Sequence, residues 1–517
     1  MNFHSSVLTF CIRKSDLRLT KAIAQLLAMA FALCSLISCS STTTSVSGDT
    51  ADLNARLKGN YTYIMSGSFF SNGTGFYRRA GTLVADGEGH ITGGSDDFIQ
   101  GFQPVTSQIT GSYTVASDGT GLMLLRVGST QLQWVFTIVS NSALDLIEFD
   151  GLATGAGGAR LQTSAALTTA PSGTFVFSLH SFLANHAAQA SVSKVGRMTV
   201  GSDGSVNGEE DVVRAGVFSS PTFTGSLGAP DSTGKGSLNL VDSQGLASAY
   251  FYYVIDSNTL NLLETDLDPT GAPNFGGGRA ETQSGTAFSN ASLNNGFVFT
   301  SAGDTAISLF GMVSVGAFTS TGDGNIVSGS YDSVQDGVPI SNADLAGTYN
   351  VASNGRMTIT LNSQVSGLAT LREVAWMINP SKAFYLVNIP SRVENGTLYQ
   401  QQNTSFSNAS VNGQFSFTMF GGDNQGPSDI ERVGMAAFDG KSALTLVNYF
   451  VNRGGSKSQT SAPSGTYTVT SNGRVSAAVS GISNNIVIYM ISNNSGYLIL
   501  EDPNTEVAGA IAQEVSP

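Results

Sequence analysis

Two kinds of side chain recur in this sequence at spacings that could support chemistry. The runs LDLIE, LNLLE, FYLVN and YLILE place Glu148, Glu264, Asn388 and Glu501 at what reads as one position in four segments. An aromatic residue, Phe136, Tyr252, Trp376 or Tyr489, stands twelve residues before each. An apolar chamber with one polar group at its rim is how small β-barrels hold ligands. The same residues also suit a structural role, with the aromatics filling an interior and the carboxylate meeting water or a backbone donor. One recurring carboxylate per segment falls short of the facing pair that glycoside hydrolysis needs.

A second acidic group follows a Gly-rich turn: Asp96 and Asp97, then Glu209, Glu210 and Asp211, then Asp332. Several oxygens converging on one point would hold calcium. Without an alternating Asp/Asn loop, the same residues read equally as a charged, solvated strand edge. His90, His180 and His186 do not recur between segments, and a nucleophile needs a base held in reach by a third group. GxSxG, HExxH and Walker-type patterns are not evident, so the sequence points away from an enzyme and names no cofactor beyond the calcium candidate.

The positions of these residues follow from a repeat. An aromatic-x-aromatic pair opens each copy at Tyr61/Tyr63, Phe175/Phe177, Phe297/Phe299 and Phe415/Phe417, at separations of 114, 122 and 118 residues. A later turn motif at Gly111 (GSYTVASDG), Gly225 (GSLGAPDSTG), Gly347 (GTYNVASNG) and Gly465 (GTYTVTSNG) keeps the same separations. Between copies, TAFSNASLNNG at 286–296 matches TSFSNASVNG at 404–413. Short alternating or apolar runs are punctuated by Asp-Gly and Asn-Gly, which tolerate the positive φ angles of tight hairpins.

Each copy therefore reads as an antiparallel meander of about eight strands. The expected fold is all-β: four tandem modules, each a small eight-stranded up-and-down β-barrel closed by pairing its last strand with its first. An immunoglobulin-like β-sandwich is the alternative. The expected divisions are 1–38, 39–55 (a Ser/Thr-rich tether), 56–163, 171–284, 293–402 and 411–517. In the last copy FDGKSA follows Gly434 and the pattern weakens, which reads as a degenerate, capping copy.

Composition agrees. Sixty glycines among 517 residues, with 12% charged residues, suit turn-rich β structure rather than a coiled coil or disorder. A formal charge of −13 argues against nucleic acid as a partner.

At the N-terminus, Arg13, Lys14, Arg18 and Lys21 precede AIAQLLAMAFALCSL, which has the form of a secretory signal. Leu36-Ile37-Ser38-Cys39 then resembles the bacterial lipobox, which implies lipidation of Cys39 as the first mature residue. No cysteine follows it. In a Gram-negative host, Ser40 implies outer-membrane delivery. The repeats are similar to those of exported repeat proteins of soil bacteria, with a Gly-x-aromatic-x-Phe opening, an Asp-Gly-x-Gly turn and a later Gly-[Ser/Thr]-Tyr turn. The modules match lipocalins and streptavidin in size. That resemblance implies no activity.

The resulting expectation is a lipid-anchored envelope or cell-surface array of non-catalytic modules that bind a polysaccharide or envelope protein. The alternatives are a carrier of a small apolar ligand inside the barrels and a structural spacer. Cys39→Ala is expected to release the protein from membranes or block its processing, as read by membrane fractionation and intact mass. An unchanged membrane-bound fraction would exclude Cys39 as the anchor.

Overall fold

Hairpin turns and alternating apolar positions close each copy on itself. The computed structural model describes residues 53–69, 75–101, 103–183, 191–267, 274–285, 287–305, 311–363, 370–390, 392–423, 428–482 and 484–513. Cys39, the whole lipobox and His186 lie outside the described residues.

The first barrel comprises β1 (Lys58–Phe69), β2 (Gly75–Asp86), β3 (His90–Ile99), β4 (Val105–Val115), β5 (Thr120–Val127), β6 (Thr130–Ser140), β7 (Ala143–Glu148) and β8 (Ala153–Leu161). Each strand pairs antiparallel with the next, and β1 pairs with β8 from Tyr61↔Leu161 to Phe69↔Ala153, so the ring has no free edge. Barrels two, three and four repeat this plan from Gly173 to Thr282, Asn294 to Gln400 and Asn412 to Gln513.

In barrels two and four the counterpart of β4 is split at Pro221 and Pro463, into Val217–Ser219 with Thr222–Leu227 and Ser456–Ser461 with Ser464–Val469. A proline ring has no N–H to give the ladder, so the strand breaks there without opening the barrel. The fourth copy, for all its weaker sequence pattern, forms a closed barrel. It closes fully around its own core, and Asp439-Gly440 forms the same hairpin as Asp86-Gly87, with both glycines at positive φ. Asp439 Oδ1 accepts from the amides of Lys441, Ser442 and Ala443, as Asp86 Oδ1 accepts from those of Glu88 and His90.

The turn motif is tied to the linker just before the aromatic pair. In barrel three, Tyr349 donates to the Leu293 carbonyl at 2.7 Å, and the Val351 amide donates to Asn290 Oδ1 at 2.8 Å. Tyr113 with Asn54 and Tyr467 with Asn408 make the same bonds in barrels one and four. The linker segment thus plugs one end of the barrel. Barrel two has Leu227 at the tyrosine's place and buries Ala166 and Leu167 near its plug.

The barrels are not separate beads. The first three strands of each pack their outer faces against the last three of the next, and barrel four meets barrel one in the same way. The apolar groups at these seams are Ala80 and Ile99 with Tyr253 and Leu263; Val195 and Val213 with Trp376 and Leu386; Val315 and Val334 with Tyr489 and Ile499; and Val433 and Phe450 with Val135 and Ile147. A head-to-tail contact repeated four times closes a ring. Linker glutamines reinforce three of the seams: Gln162, Gln283 and Gln401 each bridge two carbonyls of the following barrel.

Asn290→Ala leaves the buried Val351 amide without its acceptor and is expected to cost about 1–3 kcal/mol. Urea unfolding measures this, and an unchanged midpoint would mean that the plug carries no stability.

Candidate functional site in the barrel interiors

Strand register decides which recurring residues share a site. In barrel one Glu148 pairs with Trp134, and in barrel two Glu264 pairs with Tyr250. The matching pairs in barrels three and four are Val387 with Glu373 and Leu500 with Ile486. Asn388 and Glu501 are therefore not equivalent to Glu148 and Glu264. They stand one residue farther on, at the place of Phe149, and their amides make its backbone bond: Phe149 to Gln133, Asn388 to Arg372 and Glu501 to Asn485. A shift of one residue turns a side chain to the opposite face.

The aromatics divide in the same way. Phe136 and Tyr252 lie in their barrel cores, whereas Trp376 and Tyr489 face outward into seams. Both faces of this strand are buried, as QWVFTIV and VAWMI show, so alternation does not tell inside from outside.

Inside barrel one, Glu148 belongs to a polar cluster at the end away from the plug. Arg79 lies 3.5 Å from Asp96 and 3.8 Å from Glu148, all three almost wholly buried. Tyr63 donates to Asp96 at 2.5 Å and Tyr77 donates to Glu148. The guanidinium sits among the rings of Tyr77, Phe98 and Trp134, at 5.5, 4.9 and 5.8 Å from their centres. Arg79 Nε and Nη1, Asp96 Oδ2 and Trp134 Nε1 have no hydrogen-bond partner.

Barrel two repeats the plan with Lys194 at the place of Arg79. Its ammonium lies 3.3 Å from Glu264 and 3.0 Å from the Tyr250 hydroxyl, and Ser181 donates to Glu264. In barrel three Glu373 and Glu394 are buried together, with Arg392 at 3.6 Å from Glu394. Barrel four holds a cavity of ≈ 30 Å³ lined by Phe415, Phe417, Met419 and Ile488 among others, with Arg432 on its wall at the place of Arg79. Arg79 and Lys194 were detectable in the sequence as cations in the inward phase of strands beginning GFYRRAG and VSKVGR.

Neighbouring acids diverge rather than converge. Asp96 and Glu210 face their barrel interiors, whereas Asp97, Asp211 and Asp332 face the seams. Asp97 accepts from Lys235 at 2.7 Å and Tyr253 at 2.5 Å. Asp211 is held by Arg356 at 2.7 and 2.9 Å and Trp376 at 2.8 Å, and Asp332 by Arg474 at 2.5 and 2.8 Å and Tyr489 at 2.7 Å. Glu209 accepts from Asn354 at 2.9 Å. Among the described residues, no three His, Cys, Asp or Glu side chains are grouped to share a metal ion. His90 bonds Asp86 at 2.8 Å, and His180 bonds Ser193 at 3.0 Å.

Burial pushes Glu148 up to about 7 against the pull of Arg79. Burial and then Glu394 push Glu373 up to about 8, and burial pushes Asp429 up to about 6. An acid whose pKa is raised on folding binds its proton more tightly in the folded chain. The stability it contributes is complete below about pH 4, the unfolded value, and is lost as pH rises through the folded value. The chain is thus expected to melt at lower temperature at pH 8.5 than at pH 5.5. Glu148→Gln with Glu373→Gln should flatten that slope, and a melting temperature that rises with pH in the unaltered chain would refute the assignment.

No family model matches the chain, and no curated protein matches it. Among solved structures it is similar to intact Ap-TbpB with its N and C lobes, at 8% identity and a TM-score of 0.20, over 91% of this chain and 98% of that one. It is also similar to a transferrin binding protein B variant from Haemophilus parasuis Hp5, at 9% identity and a TM-score of 0.18, over 74% of this chain and 86% of that one. Transferrin binding protein B from serogroup B Neisseria meningitidis gives 9% identity and a TM-score of 0.18, over 71% and 83%. Overlap at this level carries no inference about fold or function.

Proposed function

We propose that this chain is a lipid-anchored, non-catalytic binding platform of the bacterial envelope. The observation that carries the reading is the closed ring of four barrels, whose recurring carboxylates and aromatics are spent on barrel interiors and on seams. Asp97 with Tyr253, Asp211 with Trp376 and Asp332 with Tyr489 join barrel to barrel, so they are not available as pocket groups. What remains to meet a partner is the outer surface.

Three barrels expose a valine at the hairpin between their third and fourth strands: Val105 at 59%, Val217 at 69% and Val338 at 61%. Val217 and Val338 hold the same register position and Val105 stands two residues farther along, and exposed apolar side chains at one hairpin of three barrels suit a polysaccharide or an envelope protein. A rigid array adds weak contacts without the ordering cost of flexible linkers. A spacer has no need of such a set. The carrier alternative has less support, because Tyr61, Tyr63, Trp134 and Phe136 fill barrel one, and ≈ 30 Å³ in barrel four is far below the ~150 Å³ that admits a benzene-sized ligand.

The test is retention of the soluble chain, lacking its lipid, on immobilised envelope polysaccharides and envelope proteins. Val105→Asp with Val217→Asp and Val338→Asp is expected to weaken retention about tenfold or more while the melting temperature stays constant. If the unaltered chain is retained on neither surface, the spacer reading replaces this one.

A further inference from the structure

Strand register lets the four barrel interiors be compared residue by residue, and one inward place carries a cation in three of them. Arg79, Lys194 and Arg432 pair across the first hairpin of their barrels with Met65, Leu179 and Met419. Barrel three has Ser314 there, paired with Ser301. In barrel one the cation has acids of its own barrel beside it, Asp96 at 3.5 Å and Glu148 at 3.8 Å. In barrel two Glu264 lies 3.3 Å from the Lys194 ammonium.

Barrel four keeps the cation and lacks those acids. Asp96 pairs with Gly81, two residues beyond Arg79, and Tyr449 pairs with Gly434, two residues beyond Arg432, so a tyrosine stands at the place of Asp96. Leu500, paired with Ile486, stands at the place of Glu148, paired with Trp134. Glu431 alternates to the other face of its strand, the one whose Val433 packs on barrel one. Tyr449 bonds the guanidinium, a neutral partner that leaves its charge uncompensated. Among the described residues no carboxylate lies within ion-pair distance of Arg432, and its Nη1 has no hydrogen-bond partner, although the residue is only 9% exposed.

The ≈ 30 Å³ cavity adjoins this charge. Arg432 and Tyr449 line it with Met419, Leu498 and Leu500, the last of these standing where barrel one places a carboxyl group. Among the described residues of that wall, Arg432 is the only charged one. A buried guanidinium without a counter-ion is costly, and an anion brought to it removes that cost. Its planar fork matches the two oxygens of a carboxylate. Phosphate or sulfate would bring further oxygens that a hydrocarbon wall leaves without donors. The space is about one water's share of liquid volume, roughly 30 Å³, so it takes an alkyl group of one or two carbons and no more.

We infer that barrel four is a binding site for a small monocarboxylate of the acetate class. The carboxylate takes on Arg432 the place that Asp96 and Glu148 hold on Arg79, and the methyl group enters the cavity beside Leu500 and Met419. This site is internal and independent of the outer surface that meets a larger partner.

The test is a titration of the full soluble chain, lacking its lipid, with sodium acetate at an ionic strength held constant by sodium chloride, followed by saturation-transfer NMR at the acetate methyl group. Saturable transfer is expected, and sodium hexanoate, whose chain exceeds the space, should bind at least about tenfold more weakly. Arg432→Gln should weaken acetate about tenfold or more. Leu500→Glu returns the acid of barrel one to the place beside Arg432 and should weaken acetate by a similar factor, because the chain then supplies its own carboxylate. No saturable transfer from the unaltered chain, hexanoate bound as tightly as acetate, or unchanged acetate affinity in whichever variant folds would overturn the site.

Discussion

The ring depends on burying, between each pair of barrels, an apolar stripe that an isolated barrel would leave in water. In three seams that stripe surrounds a buried aspartate, and a carboxylate there is tolerable only because a cation and an aromatic donor from the next barrel meet it: Lys235 and Tyr253, Arg356 and Trp376, Arg474 and Tyr489. The seam between barrels four and one is built differently. Phe450 stands at the aspartate's place and packs on Phe149 with ring centres 5.8 Å apart, while Asn452 donates to the Glu148 and Ala153 carbonyls at 2.7 and 2.8 Å. Exchanging a buried ion pair for well-packed apolar groups is often neutral or stabilising. The three polar seams join barrels already tied by a linker, where the demand is for register. Closure joins the two ends of the array without a linker, and there Asp429, bonded by Ser68, and the buried Glu431 accompany the apolar contact.

The same constraint accounts for the composition of the strands. A barrel alone in water would alternate apolar and polar residues along every strand. Here β6 and its counterparts are buried on both faces, one in a barrel core and one in a seam, and so read as near-continuous apolar runs such as IVIYMI. At β4 and its counterparts, which meet the seams only at single side chains such as Ser341 and Lys457, alternation returns. Thr222–Leu227 exposes every second residue or nearly so, and Ser456–Ser461 is exposed throughout.

This is also why the fold was legible in the sequence and the site was not. Turn dipeptides and the repeat are local signals, and they identify a meander of eight strands and its closure. The spacing between the Gly-[Ser/Thr]-Tyr turn and the Asn-Ala-Ser linker was visible, although the hydrogen bonds that preserve it, from Tyr349 and to Asn290, were not. In doubly buried strands the two-residue period vanishes, so Glu148 and Glu264 align by eye with Asn388 and Glu501, one residue out of register. Seams are harder still. Asp97 and Tyr253 are 156 residues apart, and nothing local in either strand marks them as partners. Arg79 and Lys194 left a trace, a cation in the inward phase of an otherwise apolar strand, because burial of a charge requires a partner that the strand itself does not contain.

Four copies follow from this arrangement rather than from duplication alone. Each barrel carries two complementary faces, and removing one would leave two apolar faces uncovered, an aggregation hazard of the kind that closed assemblies avoid. The fourth copy is therefore held to the same standard as the others. Its Asp439-Gly440 hairpin, its plug of Asn408 and Tyr467 and its closed core are all intact, with Arg432 at the place of Arg79 in its interior and Phe450 at the place of the aspartate in its seam. Interiors differ from barrel to barrel, with ionic clusters in two, a carboxylate pair in the third and a mostly apolar interior holding Arg432 in the fourth, and no interior touches another. The outer faces do touch, and each must match its neighbour. The faces that remain uncovered at the hairpin tips are the ones open to a partner of the whole assembly.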